Sequence, residues 1–492
     1  MSPSGNWRIA NADALVLGGI RLSFLPFSNQ WREKGVSIIN DAFNRQIMPD
    51  GVHIERNPGY HGWMTNVFTK YWRLSKNMPE LGLRITPEPI ALMYDYSLAC
   101  LRPTGQGCAL HDSCGACTGK RDLTWSKPRG DFRKEAGLPD ELPQIPQFFP
   151  DAGQIFLRDT WDEQATYITF DATVWGGGHC HLSRNSVQLH AYGRSLIVDP
   201  GSLTYETGDP MMAHGKSTRA HNTMNINGWN QNESNPPTRF RKVDGYDIVD
   251  SLYVGGYWPG KYTWGFGKGH GAGIYGEHHR TLLWIHHRCI VILDNMFSDV
   301  SEKKPNVESN WQFCDGPIDV DDAKKRVITK HSDGNVLMLC PLLPEGACMS
   351  LHKGELNPPR AWLPGDKAYA PAPQVCLNIN NCSLQDINMA TVLIPFSGNE
   401  IPSVEAKASQ PDQYGVMKLI LKWKDGSTDE IYWQRCIENA IAEQKDIKTD
   451  GNLVHLQYDS NKHLVKGLVV DGTYFDPYTS EIKPHLTTFT FK

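Results

Sequence analysis

The hydrophobic period of this chain changes once, and that change limits what it can fold into. Up to about residue 105, apolar residues recur at helical spacing: Val36, Ile39, Phe43 and Ile47, then Met64, Val67, Phe68, Tyr71 and Trp72. Such a repeat marks helices that bury one stripe. Thr86-Pro87 opens a third helix, with proline in its first turn and Ile90, Met93, Tyr94 and Leu98 along one face. From about residue 153 the period becomes two. Val187, Leu189 and Ala191 alternate, Tyr192-Gly193-Arg194 turns, and Leu196-Ile197-Val198 continues, a hairpin pattern. Further strands are expected at 281–285, 289–293, 336–340, 391–394, 417–423, 430–434, 453–458, 464–470 and 487–491. The chain is thus expected to be α+β and multidomain. Helical hairpins occupy 1–105, a linker or irregular segment rich in Gly, Pro and Cys occupies 106–150, and large antiparallel stacked sheets occupy 151–492.

Composition narrows the class of function. The 492 residues leave room for two or three domains, and 40% hydrophobic with 21% charged content is ordinary for a globular protein. No stretch approaches the roughly 20 apolar residues of a membrane span. A net charge of -5 excludes the overall basic surface of a nucleic-acid binder. Arg239, Arg241 and Lys242 form a local basic patch for an acidic ligand, although such runs more often form a solvated face. Twelve cysteines follow no regular framework. Cys108, Cys114 and Cys117 cluster with His111, but one CxxC reads first as free thiols or a local disulfide. The first 15 residues carry no apolar signal segment.

Two stretches carry chemistry. Gly176-Gly177-Gly178-His179-Cys180-His181 sets two histidines around one residue, and Asp199 and His221 follow. His and Asp are residue types that zinc takes as ligands. One of the paired histidines is then free for proton chemistry; otherwise both are ordinary strand-edge histidines. The second stretch is Met48-Pro49-Asp50-Gly51, a turn, leading to Glu55, Pro58-Gly59-Tyr60 and His61. Tyr60 is a candidate proton donor, or else it packs against the helix that follows. Asn6, after Gly5, reads by itself as a turn or cap residue.

These residues carry a resemblance. The chain is similar to the heparinase II/III-like polysaccharide lyases, which include heparin, heparan and alginate lyases. The resemblance lies in Gln46-Ile47-Met48-Pro49-Asp50-Gly51 with Glu55 and Pro58-Gly59-Tyr60-His61. It continues in His179-Cys180-His181, Ser186-Val187-Gln188-Leu189, Ala191-Tyr192-Gly193-Arg194 and Val198-Asp199-Pro200-Gly201, and ends in Ser217-Thr218-Arg219-Ala220-His221-Asn222-Thr223.

The resemblance implies an (α/α) toroid, here only its C-terminal part and truncated at the N-terminus, followed by a β-sandwich. It implies β-elimination on a uronic-acid polysaccharide. Tyr60 matches the general acid, His179 the base and Asn6 the group that neutralises the substrate carboxylate. Tyr205, Glu55 and His61 are matched to substrate binding. His181, Asp199 and His221 match the ligands of a zinc ion that is structural in the family. An acidic polysaccharide or oligosaccharide is the implied partner, and a periplasmic or secreted location is implied. Many members have Asp two residues after the second histidine; here Ser183 stands there, so a supporting partner is expected to be lost. Two other readings predict different products: a non-catalytic carbohydrate-binding protein gives none, and a zinc hydrolase gives saturated ones.

Overall fold

The computed structural model of the chain describes residues 5–113, 126–232, 237–260, 273–299, 304–365, 368–383, 385–412, 415–434, 442–444, 447–472, 475–476 and 486–490. Cys114 and Cys117 of the CxxC pair lie outside the described residues.

Helices α1 (Gly5–Arg21), α2 (Ser28–Gln46), α3 (Pro58–Asn77) and α4 (Pro87–Ala99) form the first layer. Their helical-period residues meet in one core: Ile9, Ala12 and Val16 of α1, Val36, Ile39 and Phe43 of α2, Met64, Val67, Phe68, Tyr71 and Trp72 of α3, Ile90 and Met93 of α4. Gly35 lets α2 approach α1 closely, since a Cβ there would lie 2.6 Å from Val16 Cγ2. The third expected helix does start at Pro87, but Thr86 makes no side-chain cap.

The segment expected to be a linker is structured where it is described. Helix α5 (Ser126–Ala136) inserts Phe132 against Trp72 and Tyr94, and Arg129 and Arg133 grip Asp95 at 2.6 and 2.5 Å. Residues 106–113 are mostly buried. Cys108 and Leu110 join Tyr96 and Ala99 in a core beneath the helices.

Strands β1 (Gln147–Phe149), β2 (Gln154–Arg158), β3 (Tyr167–Asp171), β4 (Ser186–Ala191) and β5 (Arg194–Ile197) form an antiparallel meander. One face gives Phe149, Phe156 and Tyr167 to the helical side. Tyr96 donates to Gln154 Oε1 at 2.6 Å and Tyr167 to the Ala99 carbonyl at 2.9 Å, so the layers are stapled by hydrogen bonds as well as apolar contact. The other face turns Ile155, Leu157, Ile168, Phe170, Val187 and Leu189 into the largest core.

Behind it stands an eight-stranded sheet. Its order is Ile318–Asp321, Arg326–Thr329, Gly334–Leu342, Asp386–Ser397, Cys289–Ser298, Gly276–Ile285, Tyr246–Val254, Thr238–Val243. This sheet is buried on both faces. Ile290 and Ile292 point to the first core, while Val291 and Leu293 meet a six-stranded sheet that includes Val416–Trp423, Thr428–Gln434 and Leu453–Tyr458. Two buried faces explain the continuous apolar run Cys289-Ile290-Val291-Ile292-Leu293, where alternation would be expected on a half-exposed strand. The α+β multidomain expectation with stacked antiparallel sheets holds. No described helix is long and apolar enough to cross a membrane.

Candidate active site

The loop between α2 and α3 sets Tyr60. Pro49-Asp50-Gly51 is the expected turn: Gly51 N–H donates to the Met48 carbonyl at 2.8 Å, with φ +87° at Gly51. Asn57 then caps α3. Its side-chain oxygen accepts from Tyr60 N–H at 3.0 Å, with Pro58 in the first turn. Ser113 reinforces this cap, accepting from Gly59 N–H at 2.9 Å and donating to Asn57 Oδ1 at 3.1 Å. The backbone of Tyr60 is therefore held by Asn57, and its ring does not serve as the cap. Its hydroxyl lies 3.2 Å from that of Tyr205, which is 45% exposed. Burial, then the Asp112 charge and the Tyr60 hydrogen bond, push the Tyr205 phenol well up, so it stays protonated.

His179 arrives from the loop between β3 and β4. Gly176 packs against the α2–α3 loop, where a Cβ would lie 2.6 Å from the Ile54 carbonyl oxygen. Arg56 donates to the Ile54 and Trp175 carbonyls at 3.1 and 3.3 Å and so ties the two loops together. The His179 ring stacks on Tyr60, with centroids 3.9 Å apart and planes 27° apart. Its Nε2 lies 3.3 Å from Asn6 Nδ2. Asn6 stands in the first described turn of α1, where backbone N–H groups lack helical partners. Glu55 meets that need, accepting from Asn6 N–H and from Asn6 Nδ2, each at 3.1 Å. Asn6, Glu55, Tyr60, His179 and Tyr205 thus converge on one cleft from four separate segments.

Asp112 organises both histidines. Its Oδ2 accepts from His179 Nδ1 at 2.8 Å, and its Oδ1 accepts from His181 Nε2 at 2.9 Å and from Lys216 Nζ at 2.5 Å. Burial opposes its charge, yet the hydrogen bonds from both histidines and the Lys216 charge outweigh burial and hold its carboxyl well below the usual range. A carboxylate can only accept, so His179 carries its proton on Nδ1 and His181 on Nε2. The remaining lone pairs are His179 Nε2, facing Asn6, and His181 Nδ1.

His181, Asp199 and His221 are buried together, with one potential ligand atom from each within 4.8 Å of the others. His221 Nδ1 lies 2.7 Å from Asp199 Oδ2. His181 Nδ1 and His221 Nε2 are buried without a hydrogen-bond partner. Two orphaned imidazole nitrogens beside a carboxylate form a donor set that suits zinc, and burial holds His181 well below its ordinary pKa, in the neutral form a metal requires.

Some expected residues stand elsewhere. His61 is fully buried, accepting from His53 N–H at 3.1 Å and donating to the Met93 carbonyl at 2.8 Å; burial holds its pKa down to about 4. It braces the loop beneath Tyr60 and does not face the cleft. Glu55 acts through Asn6. Ser183 donates to Asp171 at 2.5 Å, and the support expected to be missing there comes from Asp112, which together with Lys216 escaped the sequence reading. Asp112 is 67 positions from His179 and sits in the supposed linker. The available signal was its place between His111 and Ser113, beside the buried pair Ala109-Leu110.

A helical layer docked on stacked antiparallel sheets, with Asn, Tyr and His meeting at the seam, defines the class. The heparinase II/III N-terminal family model matches residues 1–112, and the heparinase II/III-like C-terminal model matches residues 142–379. The chain belongs to the heparinase II/III-like family. A heparin-sulfate lyase of Pedobacter heparinus is 22% identical over 437 residues, covering 85% of this chain and 62% of that protein. One from Bacteroides stercoris is 22% identical over 433 residues, covering 82% and 60%. The chain therefore spans about three fifths of the length of these curated relatives. A crystal structure of a heparinase III superposes with a TM-score of 0.71 at 16% identity, over 88% of this chain and 68% of that one, which shows a shared fold.

Proposed function

We propose that the chain is a polysaccharide lyase that cleaves a uronic-acid-containing polysaccharide by β-elimination. The observation that carries this reading is the convergence of Asn6 Nδ2, His179 Nε2 and the Tyr60 hydroxyl in one cleft. Asn6 Nδ2 has two hydrogens, one on Glu55 and one toward His179 Nε2. Substrate entering between Asn6 and His179 receives the second. That donor neutralises the uronate carboxylate and stabilises the charge that develops as C5 loses its proton. His179 Nε2 takes the proton, since Asp112 holds the ring's own proton on Nδ1. The C5–H electrons form the C4–C5 double bond, the C4–O4 bond breaks, and Tyr60 protonates O4. One proton moves in sum from C5 to O4.

Zinc fits the buried His181, Asp199 and His221 as a structural ion. When bound it would supply a fixed positive charge that anchors the loop carrying His179. Burial of all three ligands separates that position from the cleft, which speaks against a metal-bound water as the nucleophile of a hydrolase. The helical hairpins are read as part of an (α/α) toroid, and the kinship supports a secreted or periplasmic location. The test is incubation with heparan sulfate and with other uronate polymers, following the ultraviolet absorbance of the unsaturated product. Binding with no rise in absorbance would leave a carbohydrate-binding protein; reducing ends without the chromophore would indicate a hydrolase.

A further inference from the structure

The cysteine cluster of the sequence gains a member from the structure, because Cys108 stands beside Cys100. Cys100 closes α4: its N–H donates to the Tyr96 carbonyl at 3.0 Å, and its backbone is still helical, with φ −69° and ψ −9°. The chain then turns back on itself. Arg102 N–H donates to the Gln106 carbonyl at 2.7 Å, and Gly105 N–H donates to the Arg102 carbonyl at 2.8 Å with φ +79° at Gly105. Leu101 pairs with Gly107, and Cys108 N–H donates to the Cys100 carbonyl at 2.8 Å. The Arg102 side chain locks the turn, its Nη2 donating to the Gly107 carbonyl at 2.7 Å.

This backbone suits a covalent bridge. Residues that share such a bond across an antiparallel pair have Cα atoms about 5.5 Å apart. A disulfide spans Cα separations of roughly 4.4–6.8 Å. The side chains also point toward each other, since the Cys100 and Cys108 thiols hydrogen-bond one another. Both are free thiols in the structure, 3% and 1% exposed, packed with Tyr96, Phe149, Phe156 and Tyr167. Joining them takes a rotation of the side chains and no movement of the backbone.

The surroundings decide when the bond can form. Burial pushes the Cys100 thiol well up, and the neutral thiol is not the nucleophile. Exchange therefore belongs to folding, before Phe149, Phe156 and Tyr167 of the five-stranded sheet cover the pair. The two cysteines are eight positions apart, and a loop of about ten residues closes in roughly 10–100 ns, so they meet early.

We propose that Cys100 and Cys108 join in a disulfide as the chain folds, with a small-molecule or protein disulfide as the oxidant. The thiolate of one cysteine attacks that disulfide and expels one half of it. The thiolate of the other attacks the mixed disulfide and expels the second half. The chain loses two hydrogens, and the external disulfide leaves as two thiols. The bond closes the turn four positions before Asp112, at the root of the segment that Asp112 and Ser113 carry across the seam. The inference stands whether or not the cleft cleaves.

The full chain is produced once in an oxidising compartment and once in a reducing cytosol. Each preparation is denatured in iodoacetamide, reduced, labelled with N-ethylmaleimide and sequenced by fragment-ion mass spectrometry. The oxidised preparation should carry maleimide on both Cys100 and Cys108, and the reduced one iodoacetamide. The oxidised chain should melt about 3–8 °C above the reduced chain, because the cross-link restricts the unfolded chain. Cys108→Ala should lose that rise and leave Cys100 with iodoacetamide. Where Cys108→Ala does not fold, the labelling of the parent decides. Iodoacetamide on both cysteines of the oxidised parent would overturn the inference. So would maleimide on Cys108 with Cys100 blocked, which makes Cys114 or Cys117 the partner, or a rise in melting temperature that Cys108→Ala shares.

Discussion

Asp112→Asn separates the two histidines that Asp112 serves. The carboxylate offers two acceptor oxygens; the amide offers one, together with an NH2 group. Oδ1 meets two donors, His181 Nε2 at 2.9 Å and Lys216 Nζ at 2.5 Å, and the ammonium can only donate; Oδ2 meets His179 Nδ1 at 2.8 Å, and the Tyr205 hydroxyl that also bonds Asp112 can accept as well as donate. The amide oxygen will therefore stay with Lys216 and His181, and the NH2 will face His179 Nδ1. That nitrogen must then become the acceptor, so the ring proton moves to Nε2, the atom that the proposed mechanism requires to be empty. General base catalysis is worth about 10²–10⁴ in rate, and kcat should fall by that factor. KM should change little, because Asn6 and Glu55 are untouched. Lys216, with its side chain 3% exposed, loses its counter-charge, and breaking such a buried pair costs about 3–5 kcal/mol. Stability should drop, while metal content holds because His181 keeps its tautomer. The assays are initial rates of unsaturated product, calorimetric melting and elemental analysis on one preparation. A folded, metal-replete Asp112→Asn protein with kcat within about tenfold of the parent would refute the tautomer argument.

Tyr60→Phe should lower kcat by about 10²–10⁴ with an unchanged melting profile, since Asn57 caps α3 through the backbone of Tyr60; retained turnover would move the acid role to Tyr205. Asn57→Ala should cost about 1 kcal/mol in urea unfolding and also reduce kcat, because the cap positions the phenol. His181→Ala should reduce zinc to background by elemental analysis, and stoichiometric zinc would disprove the ligand set. His61→Ala should destabilise by about 1–3 kcal/mol by leaving the His53 N–H unsatisfied, the Met93 carbonyl keeping the Ser97 hydroxyl, while leaving KM unaltered; a raised KM would return His61 to the cleft.

How much was legible depended on which face of each element is apolar. Strands such as Cys289–Ser298 declare themselves because both neighbours bury apolar residues there. The strand Val307–Gln312 is silent in the sequence because its buried residues include Glu308, Asn310 and Gln312. Glu308 is neutralised by Arg219 and Arg360 at 2.7 and 2.8 Å, contributed from distant segments. The start of Gly276–Ile285 is hidden likewise: Asp294 on the next strand receives both His278 and Arg280, and the Asn185 and Asn222 carbonyls receive Arg280 as well. Polar interiors of this kind obey pairing rules that become visible only once the partner strand is placed.

The site follows the same rule. Tyr60, His179 and the candidate metal ligands lie in compact local motifs, where a turn, a cap or a glycine run leaves a trace in the sequence. Asp112 leaves little beyond its place between His111 and Ser113, because its role exists only across the seam. Its side chain is fully buried and charged, a costly state unless every partner is present. Those partners come from the β3–β4 loop and from Lys216, both on the sheet side. Asp112 itself is carried by the chain that leaves α4, and Ser113 beside it braces the cap of α3. Docking the helical layer on the five-stranded sheet therefore satisfies the carboxylate, sets the tautomers of both histidines and positions Tyr60 in one step. A partly docked intermediate would hold a buried charge without its donors. The cleft consequently forms with the domain interface, and stability measured at Tyr96–Gln154 and at Asp112 should report one cooperative unit.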